Sequence, residues 1–118
     1  MGRLTTHVLD TATGRPGAGI SLVVERIDGE TRERVAEATT NDDGRCDEPL
    51  LEGDALVAGE YEMRFAVGAY LDRTGARAVA APRFLDTVVL RFGVADASEH
   101  YHVPLLVSPF AYSTYRGS

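Results

Sequence analysis

Glu60-Tyr61-Glu62-Met63-Arg64-Phe65-Ala66-Val67 alternates apolar and polar side chains more cleanly than any other stretch of the chain. Successive side chains of a strand point to opposite faces. Tyr61, Met63, Phe65 and Val67 therefore face a core, and Glu60, Glu62 and Arg64 face out. The same signature returns on both sides of this segment. Residues 20–27 read as a strand with Ile20, Leu22 and Val24 on one face and Ser21 and Glu25 on the other. Asp28-Gly29 turns the chain into residues 34–40, a weaker strand in which Val35, Glu37 and Thr39 oppose Ala36 and Ala38. Residues 87–94 place Val88, Leu90, Phe92 and Val94 inward. Residues 4–10 open the chain, with Leu4, Thr6 and Val8 on one face and Thr5, His7 and Leu9 on the other. Residues 100–107 and 112–116 are the last two strands, parted by Ser108-Pro109. Residues 48–58 hold a brief strand or a loop around Pro49 and Gly53. One short helix is expected near residues 69–74, followed by an alanine-rich loop to Pro82. Seven or eight short strands joined by turns, with one short helix, predict an all-β antiparallel β-sandwich. A chain of 118 residues with no repeat or linker is read as a single domain, 1–118.

Composition narrows the partners. Hydrophobic residues make up 44% and charged residues 25%, enough apolar side chain for a packed core. Twelve basic and 18 acidic residues give a formal charge of −6. That balance argues against nucleic acid or an anionic membrane as partner, since both call for a basic face. No apolar run approaches the length of a membrane span. The single cysteine, Cys46, allows no internal disulfide and permits a reducing compartment. The segment Met1-Gly2-Arg3-Leu4-Thr5-Thr6-His7 lacks an apolar signal core, so a cytoplasmic setting is expected.

Groups able to do chemistry are few. The histidines are His7, His100 and His102, all on expected strands. His100 and His102 share one strand face, while Tyr101, Val103 and Leu105 take the other. Such a pair can be ordinary surface histidines. With His7 it can also make a three-histidine zinc site, although no spacing in the sequence brings His7 to the pair. Arg45 follows the tight turn Asn41-Asp42-Asp43-Gly44, and its planar guanidinium suits an oxyanion or a polarised carbonyl. Cys46 beside it is either an inert half-buried thiol or a thiolate activated by the neighbouring cation. Serine-nucleophile elbows and phosphate-cradling glycine loops are absent from the sequence. The segment from His100 to Ser118, HYHVPLLVSPFAYSTYRGS, is dense in aromatic and reactive groups and reads as part of a site.

It is at this segment that the chain resembles the transthyretin-like family, and within it the enzyme branch, the 5-hydroxyisourate hydrolases. Tyr115-Arg116-Gly117-Ser118 is similar to the signature that separates those enzymes from the hormone carrier. Leu4-Thr5-Thr6-His7-Val8-Leu9-Asp10 and Asp43-Gly44-Arg45 resemble two further family blocks, and Gly59-Glu60-Tyr61 a strand entry. Phe84-Leu85-Asp86 departs from the family's usual Phe-Phe-Pro, and the loop before it is longer and richer in alanine. The resemblance implies a transthyretin-like sandwich that assembles as a homotetramer, a dimer of dimers with sites in the interface channel. It implies hydrolysis of 5-hydroxyisourate to 2-oxo-4-hydroxy-4-carboxy-5-ureidoimidazoline in urate breakdown, with no metal and no cofactor. The catalytic residues it implies are His7, Arg45, His102 and Ser118; those that shape the substrate site are Tyr115, Arg116, Gly117 and His100. The alternative on the same fold is a non-catalytic carrier of a small ligand.

Overall fold

The structure, a computed structural model, describes residues 1–75 and 81–117. The alanine-rich loop expected before Pro82 falls largely on residues 76–80, and that part, like Ser118, lies outside the described residues. In chain order the elements are β1 (Arg3–Thr5), β2 (Val8–Asp10), β3 (Arg15–Pro16), β4 (Ser21–Asp28), β5 (Thr31–Thr39), β6 (Leu51–Glu52) and a 3-10 turn at Gly53–Ala55. There follow β7 (Gly59–Ala66), α1 (Val67–Arg73), β8 (Thr87–Val94), β9 (Tyr101–His102), β10 (Leu105–Ser108) and β11 (Ala111–Thr114). The expected helix is present and starts two residues earlier, at Val67.

One layer is the antiparallel sheet β5-β4-β7-β8. Its centre is the alternating stretch that predicts the fold: Tyr61, Met63 and Phe65 are fully buried on β7, while Val67, expected on the same strand, opens α1 and is buried there. Leu22 and Val24 are buried in the core, and β4 keeps one alternation against β7 along its whole length. Ile27 is also buried, but on the other face, outside the core cluster. The register with β5 shifts between Val24 and Glu25, and the extra residue, Val35, lies on β5. Glu62 is also unlike its expectation. It lies on the outward face as its position dictates, yet it is buried, with Arg32, Arg64 and Arg91 bonded to its carboxylate.

The opposite layer is built around the first strand. β1 lies between β6 and β9, and β2 lies between β3 and β10. β1 and β2 are separated by Thr6 and His7, and β9 and β10 by Val103 and Pro104. The pairing keeps one register across both breaks: Leu4 faces Tyr101, Thr5 faces His102, Val8 faces Leu105 and Leu9 faces Leu106. These two pairings are parallel, within a sandwich whose other ladders are antiparallel. Hydrogen bonds from Val103 N to Thr5 O and from Leu105 N to His7 O carry the ladder through the breaks. Pro104 falls between those two donors, where its missing N–H costs the ladder nothing. Leu4, Thr6 and Val8 point into the core and Thr5, His7 and Leu9 away from it, as the alternation predicts.

Candidate active site

His7 sits where the neighbours of the central strand change. On one flank β6 gives way to β3, and between them Arg45 bridges to His7. On the other flank β9 gives way to β10, with His102 at the end of β9. The backbone alone therefore delivers an arginine to one side of His7 and a histidine to the other.

The turn that delivers Arg45 is closed by Asn41. Its Oδ1 accepts hydrogen bonds from the backbone N–H groups of Asp43 and Arg45, and its carbonyl accepts from Gly44 N. Gly44 has φ +74°, and a Cβ there would stand 2.5 Å from the Val8 carbonyl oxygen. Only glycine fits that conformation and that approach. The Arg45 side chain is exposed, and no carboxylate among the described residues pairs with it.

Across the strand, His7 Nδ1 lies 2.7 Å from His102 Nε2, and His102 Nδ1 lies 2.8 Å from Thr5 Oγ1. The ring centroids are 4.8 Å apart and the planes differ by 25°. With nitrogens in hydrogen-bond contact at that centroid separation, the rings meet edge to edge rather than face to face. Both nitrogens of His102 are used, and His7 Nε2 has no partner among the described residues. Two ligands of one zinc ion would each stand about 2.0–2.1 Å from the metal and farther from one another than these nitrogens do. The two imidazoles are arranged as a hydrogen-bonded pair, not as co-ligands.

Both imidazoles are held below the ordinary histidine pKa of 6.5. Burial is the main cause for each. For His7 the charges of His102 and Arg45 add to it, and for His102 the charge of Arg45 does. Burial, helped by Asp47, pushes the Cys46 thiol up, so Arg45 does not make it a thiolate.

These groups line an open pocket of about 610 Å³, which also takes in Arg3, Thr6, Cys46, His100, Tyr115 and Gly117. Its described lining holds two arginines and no carboxylate, in a chain of net charge −6. Gly117 N donates to the His102 carbonyl at 2.6 Å. A Cβ on Gly117 would lie 2.7 Å from the His102 ring, so the tail packs against that ring because it has glycine there. Arg116 points elsewhere: its guanidinium lies 4.0 Å over the Tyr101 ring and bonds to Glu99 and the His100 carbonyl. Of the residues singled out in the sequence, His7, Arg45, His100, His102, Tyr115 and Gly117 come together, and Arg116 braces the tail from outside. Thr5 was not singled out, although it shares a strand face with His7 two residues away.

A β-sandwich bearing an imidazole pair and an arginine in a cationic pocket has the parts of an acid–base site on an all-β frame. The chain belongs to the HIUase/transthyretin family, whose profile matches residues 4–117. It is 59% identical over 118 residues to the 5-hydroxyisourate hydrolase of Ralstonia nicotianae, with 100% of both chains covered. Among solved structures it superposes on Klebsiella pneumoniae 5-hydroxyisourate hydrolase with a TM-score of 0.80, 33% identity and 100% of both chains covered. It superposes on an (S)-allantoin synthase with a TM-score of 0.92 and 45% identity, over 99% of this chain and 44% of that longer one.

Proposed function

We propose that this protein hydrolyses 5-hydroxyisourate, with His7 as the general base. The observation that carries the reading is the fully used His102 beside a His7 whose Nε2 is unpaired among the described residues, in a pocket flanked by Arg45. Water gives a proton to His7 Nε2 as its oxygen bonds to the attacked ring carbonyl. Arg45 offsets the negative charge that gathers on the carbonyl oxygen. The tetrahedral carbon then expels its ring nitrogen, which takes the proton back from His7 as the C–N bond breaks. The new carboxylic acid releases its remaining proton to solvent. Depressed pKa values keep the imidazoles neutral near pH 7, so the base is ready.

His100, Tyr115 and Gly117 shape the substrate side of the pocket. Ser118, next to Gly117 in sequence, is assigned to orienting water or substrate. Arg116 was expected among the substrate ligands; its bonds support a role in anchoring the tail. The carrier alternative finds little support in this lining, where an apolar ligand would have to desolvate Arg3, Arg45 and the histidines. The active form is proposed to be a homotetramer. Support comes from β11, an exposed edge strand, and from exposed Phe110, Tyr112 and Tyr115 beside it. Light scattering then gives four times 12.7 kDa.

The test of the activity is ultraviolet decay of freshly generated 5-hydroxyisourate with and without the protein. Because the substrate decays unaided, the expected result is an accelerated and stereoselective loss. Decay at the spontaneous rate overturns the reading.

A further inference from the structure

We infer that Thr5 is a positioning residue of this site: its hydroxyl, 2.8 Å from His102 Nδ1, fixes which ring nitrogens of the imidazole pair carry hydrogen. The inference rests on the hydrolase reading of the pocket.

Thr5, His102 and His7 form a chain of two hydrogen bonds. Each neutral imidazole has one N–H, so the chain can run in two senses. In one, His7 Nδ1–H donates to His102 Nε2, His102 Nδ1–H donates to Thr5 Oγ1, and His7 Nε2 is a bare lone pair. In the other, Thr5 donates to His102 Nδ1, His102 Nε2–H donates to His7 Nδ1, and His7 Nε2 carries hydrogen. Only the first sense gives a base at His7 Nε2. Arg45 bridges to His7 through the backbone, and its charge acts on the imidazole.

The first sense also needs an acceptor at His102 Nδ1, and Thr5 Oγ1, 2.8 Å away, is placed to accept there. Its place is set by the backbone. Thr5 pairs with His102 in the parallel ladder, and Thr5 O accepts from Val103 N at 2.9 Å. The adjacent Thr6 hydroxyl bonds the Val103 carbonyl at 2.7 Å, locking the same crossing from the core side. When His7 takes a proton from water, every hydrogen already in the chain stays where it is. His102 Nδ1–H still has its acceptor, and the cationic pair keeps a hydrogen bond that becomes charge-assisted. A valine at position 5 preserves the shape and removes that acceptor.

The experiment uses the full-length protein with ¹⁵N-labelled histidine, as wild type, Thr5→Val and Thr5→Ser, each checked for fold by circular dichroism. Nitrogen shifts in the wild type should show hydrogen on Nδ1 of both His7 and His102. Thr5→Val should mix the His102 tautomers and lower kcat about 10- to 100-fold with KM little changed. Its acidic limb in kcat/KM should move to lower pH, because the protonated pair loses an acceptor it needs more than the neutral pair does. Among the described residues, the other titratable or charged groups facing the pair are Arg3, Arg45, Cys46, His100 and Tyr115, and neither variant alters them. Thr5→Ser should restore the tautomer and most of the rate. Hydrogen on His102 Nε2 in the wild type, a Thr5→Val protein with wild-type tautomer and kcat, or a Thr5→Ser protein as impaired as Thr5→Val each overturns the inference. Absence of turnover in the wild type would instead overturn the hydrolase reading, and the nitrogen shifts would still decide whether Thr5 sets the tautomer.

Discussion

A neutral imidazole serves as a base only while it remains neutral, and the surroundings of His7 and His102 work in that direction. Burial lowers both pKa values below 6.5, and Arg45 adds to the effect. The sign for activity follows directly. As pH falls through 6.5, free histidine gains its proton but this pair does not, so kcat/KM should hold level there and decline only at lower pH. The same shift sets a stability trend. Unfolded histidines bind protons near 6.5 and the folded ones do not, so this contribution to stability is lost as pH falls below 6.5. A His7→Asn protein should fold and lose roughly 100-fold or more in kcat, since it keeps a polar side chain and removes the base. His102→Asn should lose activity by a similar factor, because it breaks the chain to Thr5. A rate measurement on either variant that matched the wild type would remove the imidazole pair from the mechanism.

At the scale of elements, the site depends on one strand and one turn. The strand is interrupted at Thr6 and His7, and the interruption is what exposes His7 to neighbours on both flanks. The turn residues 41–44 carry Arg45 to one of them. Gly44→Ala should therefore damage stability and activity together. Alanine at φ +74° is strained and its Cβ meets the Val8 carbonyl, so a loss on the order of 1 kcal/mol or more is expected, seen as a lower Tm. Activity should fall further than that stability loss explains, because Arg45 moves with the turn. The sequence announces this turn plainly, as Asn-Asp-Asp-Gly followed by Arg. It does not announce that the first strand pairs in parallel with residues 101–108. Side-chain alternation reports which face is buried and is silent on which strand lies beside which. For the same reason His7 and His102 could be joined only through the family resemblance, since 95 residues separate them. The register shift beside Val24 and Glu25 was equally hidden, because its extra residue, Val35, lies on the partner strand β5.

For the molecule as a whole, the two layers carry different work. The sheet β5-β4-β7-β8 holds a buried carboxylate, Glu62, under three arginines. The hydrogen bond from Arg32 is the main cause of a pKa below the usual 4.5, with the charges of Arg32, Arg64 and Arg91 adding to it and burial opposing it. A depressed carboxylate pKa stabilises the fold above 4.5, and that contribution is lost as pH falls through the folded value. Glu62→Gln should thus lower Tm at pH 7, and the gap between variant and wild type should close in acid. Equal Tm values at pH 7 would show the cluster to be without net effect. The outward position of Glu62 was legible in the alternation, whereas its burial was not, because the covering arginines come from three different strands.

The layer that bears the chemistry joins residues very far apart along the chain. Thr5 and His102 are separated by 97 residues, more than any pair in the ladders of β5-β4-β7-β8. Closing a long loop is entropically slower to be rewarded than closing a hairpin. A folding chain can therefore hold most of its sheet structure before it holds a catalyst. The hydrogen-bonded imidazole pair should be the last thing this fold makes, and during refolding the return of turnover should trail the return of the β-sheet signal.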